Sequence, residues 1–259
     1  MDAVGLLTVW LLVSIAAVPA AAQTGPAQKK APVKRSFVER GFVTLNGAAQ
    51  AAASDLTDRL LFEANAETGS IEARYPGRTG LLIEAAAGMR VRGRAGVALA
   101  VSRSTTSGRA SVMADIPHPF FDDRHRRVDG EASGISRIET AVHLQLYYDL
   151  RPRGPWRVRA FAGPTYFDVE QEVVTAVQAD ETFPFDTATF GNATTGRATG
   201  SGIGFNAGAD MSRMLTRRVG AGVMIRYARG SVDLNAPGAR HVSTDGGGLQ
   251  AGAGVRLLF

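Results

Sequence analysis

Seven charged residues stand where a side-chain period of two turns them to one common face: Glu84, Arg90, Glu139, Arg159, Asp210, Arg226 and Arg256. Acids and bases enclosed together must pair, because an unpaired buried ion costs several kcal/mol. The chemistry they suggest is an internal acid–base network centred on Glu84, Glu139 and Arg226. Counting from the ends of the segments puts Glu84 and Arg226 near mid-height and Arg90 and Arg256 near one end. Catalysis is served less well. His143 shares a face with Gln145 and Tyr147, but spacing fixes no serine partner for it, and an interior hydrogen-bonded histidine accounts for it. The segment PHPFFDDRHRR gathers His118, Asp122, Asp123 and His125, the residue types of a metal site, without an established ligand spacing. Pro117 and Pro119 make it a stiff loop instead, with Phe120 and Phe121 covering a rim. Gly200-Ser201-Gly202-Ile203-Gly204 imitates a dinucleotide-binding turn. Its glycines fall at alternating strand positions with no strand–helix context, so they make room for large interior side chains. No cofactor and no metal are expected.

The elements that must position these residues alternate strictly between apolar and polar or small residues. In the last stretch, Leu249, Ala251, Ala253, Val255, Leu257 and Phe259 take one face, and Gln250, Gly252, Gly254, Arg256 and Leu258 the other. Seven more segments read the same way, around Val43–Ala51, Leu81–Arg92, Ala95–Ser102, Ile138–Asp149, Arg157–Tyr166, Gly202–Ser212 and Val219–Ala228. Each is near the ~9–11 residues of a tilted membrane strand. Three connections are short: Arg92–Arg94, Arg151–Pro155 and Leu215–Arg218. Four are long and polar: about Ser54–Thr79, Thr105–Ser136, Glu170–Thr199 and Ser231–Asp245. Short and long alternate along the chain, as eight antiparallel strands with both termini at one end require. The sequence predicts an all-β, eight-stranded antiparallel up-and-down transmembrane barrel with short periplasmic turns and long extracellular loops. Leu56–Tyr75 is also strand-forming. Its charges at Glu63, Glu67, Glu72 and Arg74 suit a hairpin in water, extending the first loop. Tyr148, Trp156, Tyr166 and Tyr227 lie toward segment ends, where interfacial aromatic girdles sit.

At the start, the apolar run from Leu6 to Val18 precedes Ala20-Ala21-Ala22. This reads as a signal peptide over residues 1–22, cut after Ala22, although its first residues carry Asp2 and no base. Residues 23–40 form a basic, Pro-containing periplasmic linker, and 41–259 the barrel. Much of the net charge of +5 sits in the linker. The secretory reading removes nucleic acid as a partner. With no cysteine, neither disulfides nor thiolate chemistry are available.

The cleavable leader, the eight segments, the order of short and long connections, GIGFNAGADMS and the terminal VRLLF resemble small bacterial outer-membrane β-barrels of the OmpA-like and OmpW type. The resemblance covers about Gly41 to Phe259 and implies residence in the outer membrane of a Gram-negative-type bacterium. Gly254, Leu257 and Phe259 match the pattern that the barrel assembly machinery reads. Outer-membrane lipids and lipopolysaccharide are the implied surroundings, with Arg124, Arg126 and Arg127 one place of contact. The expected role is structural, or passage of small molecules, and is not enzymatic. A lipid-acting barrel enzyme, acyltransferase or lipase-like and using His143, is the alternative. A secreted soluble β-protein is a third class.

Overall fold

The computed structural model describes residues 40–150 and 156–259. The expected signal peptide, the linker through residue 39 and the connection from Arg151 to Pro155 lie outside them. The strands are β1 (Gly41–Ala52), β2 (Leu56–Ala64), β3 (Glu67–Tyr75), β4 (Thr79–Arg92), β5 (Ala95–Pro117), β6 (His125–Leu150), β7 (Trp156–Glu181), β8 (Ala188–Met214), β9 (Val219–Ala236) and β10 (Arg240–Leu258). Eight of them close an antiparallel ring in the order β1, β4, β5, β6, β7, β8, β9, β10, with β10 returning to β1. The closing seam runs from Phe42 opposite Leu258 to Ala52 opposite Gly248. Closure leaves no free edge within the ring. β2 and β3 form the expected hairpin, turning at Asn65 and Ala66 with φ of 55° and 64°. The hairpin stands outside the ring, and its strand pairing to it runs through Ser70–Arg74 of β3 on Ser111–Asp115 of β5.

One strand shows why the barrel has two halves. On β9 the outward residues from Val219 to Tyr227 are Val, Ala, Val, Ile and Tyr, followed by Arg229, Ser231, Asp233 and Asn235. Its inward residues run the opposite way, from Arg226 to Ala228, Val232, Leu234 and Ala236. On β5 the outward face changes from Leu99 and Val101 to Arg103, Thr105 and Arg109. Its inward face changes from Ser102 and Ser104 to Ala110, Val112 and Ala114. β7 changes outward from Tyr166 to Asp168. The period of two never breaks on β9; only the chemistry of the two faces is exchanged. The nine residues from Val219 to Tyr227, at ~3.3 Å each and tilted ~40°, span about 23 Å, close to the ~25 Å apolar band of a membrane barrel. Tyr166 and Tyr227 are exposed at the upper margin of this belt, and Tyr148 and Trp156 at the lower.

Above the belt the residues behave as an ordinary soluble β-protein. Ile71, Val112 and Val128 face Val169, Val173, Val232, Leu234 and Val242 across one apolar core. The Tyr75 hydroxyl accepts a hydrogen bond from Val174 N at 2.7 Å, and Arg240 pairs with Asp58 at 2.8 Å. These bonds tie the hairpin to β7 and β10. The long polar segments expected as loops are therefore mostly strand. β5 to β8 run 23 to 27 residues, and the connections from β5 to β10 at this end are confined to 118–124, 182–187 and 237–239. The expectation failed because the outward face turns polar above the belt, while the alternation continues with its sign reversed. Gly134 sits in a bulge opposite Gly108 and Arg109, with φ of 76°. The extra residue shifts β6 by one, so that Ala132, Gly130 and Val128 face inward above it, as Ile135 and Arg137 do below.

Candidate functional site in the barrel lumen

The inward face of the lower half carries a mutually bonded polar network beside an apolar cluster of Phe42, Ala98, Tyr147, Phe161, Met224 and Leu258. At mid-height Glu84 on β4 pairs with Arg226 on β9, and both are at most 4 % exposed. β1 and β10 lie between those strands in the ring and supply amides that order the charges. Asn46 donates through Nδ2 to Glu84 at 3.0 Å and accepts from Arg256 at 2.6 Å. Arg256 in turn pairs with Asp210 on β8. On the other side, Arg226 Nε donates to Gln250 Oε1 at 2.6 Å, and Gln250 Nε2 donates to Gln50 Oε1 at 2.8 Å. Gln50 Nε2 then reaches Glu139 at 3.1 Å, and Gly247 N donates to the same carboxylate at 3.0 Å. Every amide turns its carbonyl toward the cation and its NH2 toward the anion. That is the only orientation in which it relays between them, since a guanidinium only donates and a carboxylate only accepts.

Glu139 is thus joined to Arg226 through two glutamines, and its own ion-pair partner is Arg137 at 3.4 Å. Arg137 also donates to Gln171 at 2.8 Å and to the Asp245 carbonyl at 2.7 Å. Near the turn-bearing end Asp149 holds Arg90 at 3.2 Å and Arg159 at 2.8 Å. The Arg159 guanidinium lies over the rings of Phe42 and Tyr147, at 3.7 and 4.4 Å from their centroids. All seven sequence-predicted charges face the lumen. They fall into Glu84–Arg226, Asp210–Arg256, Arg90 with Arg159 through Asp149, and Glu139. Arg137 and Asp149 were missing from the expected set. Arg137 lay one step beyond the segment taken to start at Ile138, and Asp149 already stood on the polar face at that segment's end.

His143 is wholly buried, with Nε2 3.1 Å from Ser102 Oγ and Nδ1 2.8 Å from Thr165 Oγ1. Thr165 Oγ1 accepts from Asn206 Nδ2 at 2.9 Å, which favours its giving its own proton to His143 Nδ1. Nε2 then carries the hydrogen and donates to Ser102, the reverse of what activates a serine. Phe167, wholly buried, caps this layer. A Cβ at Gly230 would stand 2.8 Å from its ring and one at Gly246 3.1 Å, so only glycine leaves the ring its place. Cavities of about 70 Å3 and about 20 Å3 lie at the two ends of the polar region. The first is beside Arg137 and Glu139, the second beside Asp149, Arg159 and Arg256. They share no residue, and the Glu84–Arg226 layer stands between them.

The remaining candidate residues lie elsewhere. Gly254 sits opposite Asn46 at the seam, where a Cβ would strike the Leu45 carbonyl. Leu257 and Phe259 face outward and are exposed. The Phe259 carbonyl accepts from Arg40 N at 2.8 Å and Gly41 N at 2.9 Å. In the 118–124 turn His118 is buried and accepts from Phe120 N at 3.1 Å, whereas His125 is exposed, with Nε2 3.3 Å from the Thr68 carbonyl. Phe120 and Phe121 are exposed at the tip. Buried Arg126 locks this turn to the next, donating to the carbonyls of Pro117 and Phe185 and to Glu181 at 2.9–3.0 Å.

No family model matches the chain, and no curated protein matches it. Among solved structures it is similar to Neisserial surface protein A, at 15 % identity over 85 % of this chain and 97 % of that one, with a TM-score of 0.43. It is also similar to the outer membrane protein OprG from Pseudomonas aeruginosa, at 12 % identity over 85 % and 96 %, with a TM-score of 0.47. A third similar structure is the outer membrane protein AlkL in lipid bilayers, at 12 % identity over 92 % and 97 %, with a TM-score of 0.35. Each likeness is one of fold.

Proposed function

We propose that the protein is an integral outer-membrane β-barrel with a structural role. Its lumen is closed by the acid–base network, and its upper half is an ordered β-domain held at the cell surface. The observation that carries this reading is β9. Its outward apolar stretch from Val219 to Tyr227 fits the hydrocarbon layer, and on its inner face Arg226 is locked to Glu84 across the lumen. Passage of a small molecule along the barrel would first require that pair to part. The alternative of a lipid-acting enzyme finds a serine–histidine contact, Ser102 with His143. That contact is sealed in the lumen, has no carboxylate behind it and does not face lipid, so the structural reading is preferred. Fractionation of cells expressing the full chain tests the proposal. A heat-modifiable species in the outer-membrane fraction supports it, and recovery in the soluble periplasmic fraction overturns it.

A further inference from the structure

We propose that the periplasmic rim of the barrel is a binding collar for anionic phospholipid headgroups. The inference rests on the outer-membrane reading and adds a lipid partner to it. Arg92, Arg94, Arg213 and Arg217 are all exposed at the end that carries the turns Gly93–Arg94 and Leu215–Arg218. Exposed Arg40 joins them, bonded through its backbone to Phe259. Among the described residues no Asp or Glu side chain is exposed there. Asp149 and Asp210 face the lumen and are held by Arg90, Arg159 and Arg256. The upper half differs. Its surface charges are of both signs and form pairs such as Arg74–Asp55, Arg109–Glu131 and Arg229–Asp245.

A ring of one sign repels itself and attracts counter-charge. Its depth identifies that counter-charge. Arg213 lies on the outward face of β8, two residues beyond Met211, with its guanidinium 5.9 Å from the Trp156 ring centroid. Trp156, Tyr148 and Phe259 are exposed in the same tier, the level at which aromatic rings meet headgroups. Guanidinium forks match phosphate oxygens two at a time. The turns are too short to carry these charges away from the headgroup plane toward the carboxylates of a cell wall.

Trp10 and Trp156 are the tryptophans of the chain, so Trp10→Phe leaves Trp156 as a sole reporter inside the collar. The full-length W10F protein is folded into phosphatidylcholine vesicles containing brominated phosphatidylglycerol or brominated phosphatidylcholine. Trp156 should be quenched at an about fivefold lower mole fraction of the anionic lipid, the factor one basic side chain supplies at an anionic surface. High salt should remove the preference. The combined R92Q, R94Q, R213Q and R217Q variant should lose it, and the corresponding lysine set should retain most of it. If the glutamine variant does not fold, the salt series and the lysine set decide. Equal quenching by both lipids overturns the collar and leaves the membrane reading standing; no quenching by either lipid overturns both. Equal quenching together with arginine-dependent sedimentation on peptidoglycan sacculi would assign the rim to the cell wall and overturn the lipid collar.

Discussion

Gln50 and Gln250 stand directly opposite each other across the seam that closes the barrel, and Gln250 donates to Gln50 at 2.8 Å. The contact joins the first ring strand to the last and links Arg226 to Glu139. Closure of the ring and closure of the lumen therefore depend on the same pair. Gln250→Leu should leave Arg226 Nε and the Gln50 carbonyl oxygen unbonded in a dry site, at a cost of about 1–3 kcal/mol for a buried group so stranded. Gln50→Leu should cost a similar amount. The two together should cost clearly less than their sum, because one contact is lost twice. Urea unfolding of the folded barrel in detergent, read by heat modifiability, measures this.

Tyr75 gives the upper domain a pH dependence. Burial among apolar neighbours pushes its phenol up to about 12, while Val174 N donates to its oxygen. The folded value lies above the unfolded one, so the protonated phenol is favoured by folding. Its contribution is complete below about pH 10 and is lost as the pH rises toward 12, at most about 2–3 kcal/mol. Tyr75→Phe should flatten the fall in stability across that window. An equal fall in the variant would place the sensitivity elsewhere.

His143 is expected to act as a structural hydrogen-bonding residue. The unmutated barrel and His143→Ala should both be silent in detergent-solubilised lipase and acyl-transfer assays. His143→Ala should also unfold more readily, because Ser102 and Thr165 each lose a buried partner. Turnover by the unmutated protein that disappears in the variant would establish the enzyme reading.

Removing Phe259 should lower the amount of folded protein in the outer membrane. Its carbonyl receives the backbone of Arg40 and Gly41, and its ring covers the base of the seam. Immunoblots of heat-modifiable protein in membrane fractions measure this. Unchanged levels would remove the terminal residue from the assembly step.

The eight-strand ring was legible because in the lower half the outward face keeps one apolar chemistry, from Val219 to Tyr227 on β9 and from Leu249 to Leu257 on β10. The hairpin at Leu56–Tyr75 was legible from its charges. The upper halves of β5 to β9 were not, because Val112, Val128, Val173 and Val232 bury the face that in the lower half carries the charges. A pattern fixed on one orientation loses a strand where the two faces exchange their chemistry. In the lumen, the charged residues could be read from their shared face, but the partner of each could not. Pairing there depends on ring adjacency and on amides such as Asn46, whose neutral side chain announces no role.

Glu84→Gln tests the central claim, because it strands Arg226 in a buried position. Breaking one side of such a pair costs about 3–5 kcal/mol. Eight strands leave an interior that side chains can fill, so the unmutated barrel should give no large, steady conductance in planar bilayers. Glu84→Gln should give openings or a barrel too unstable to insert. A large, steady conductance from the unmutated protein would contradict the closed lumen.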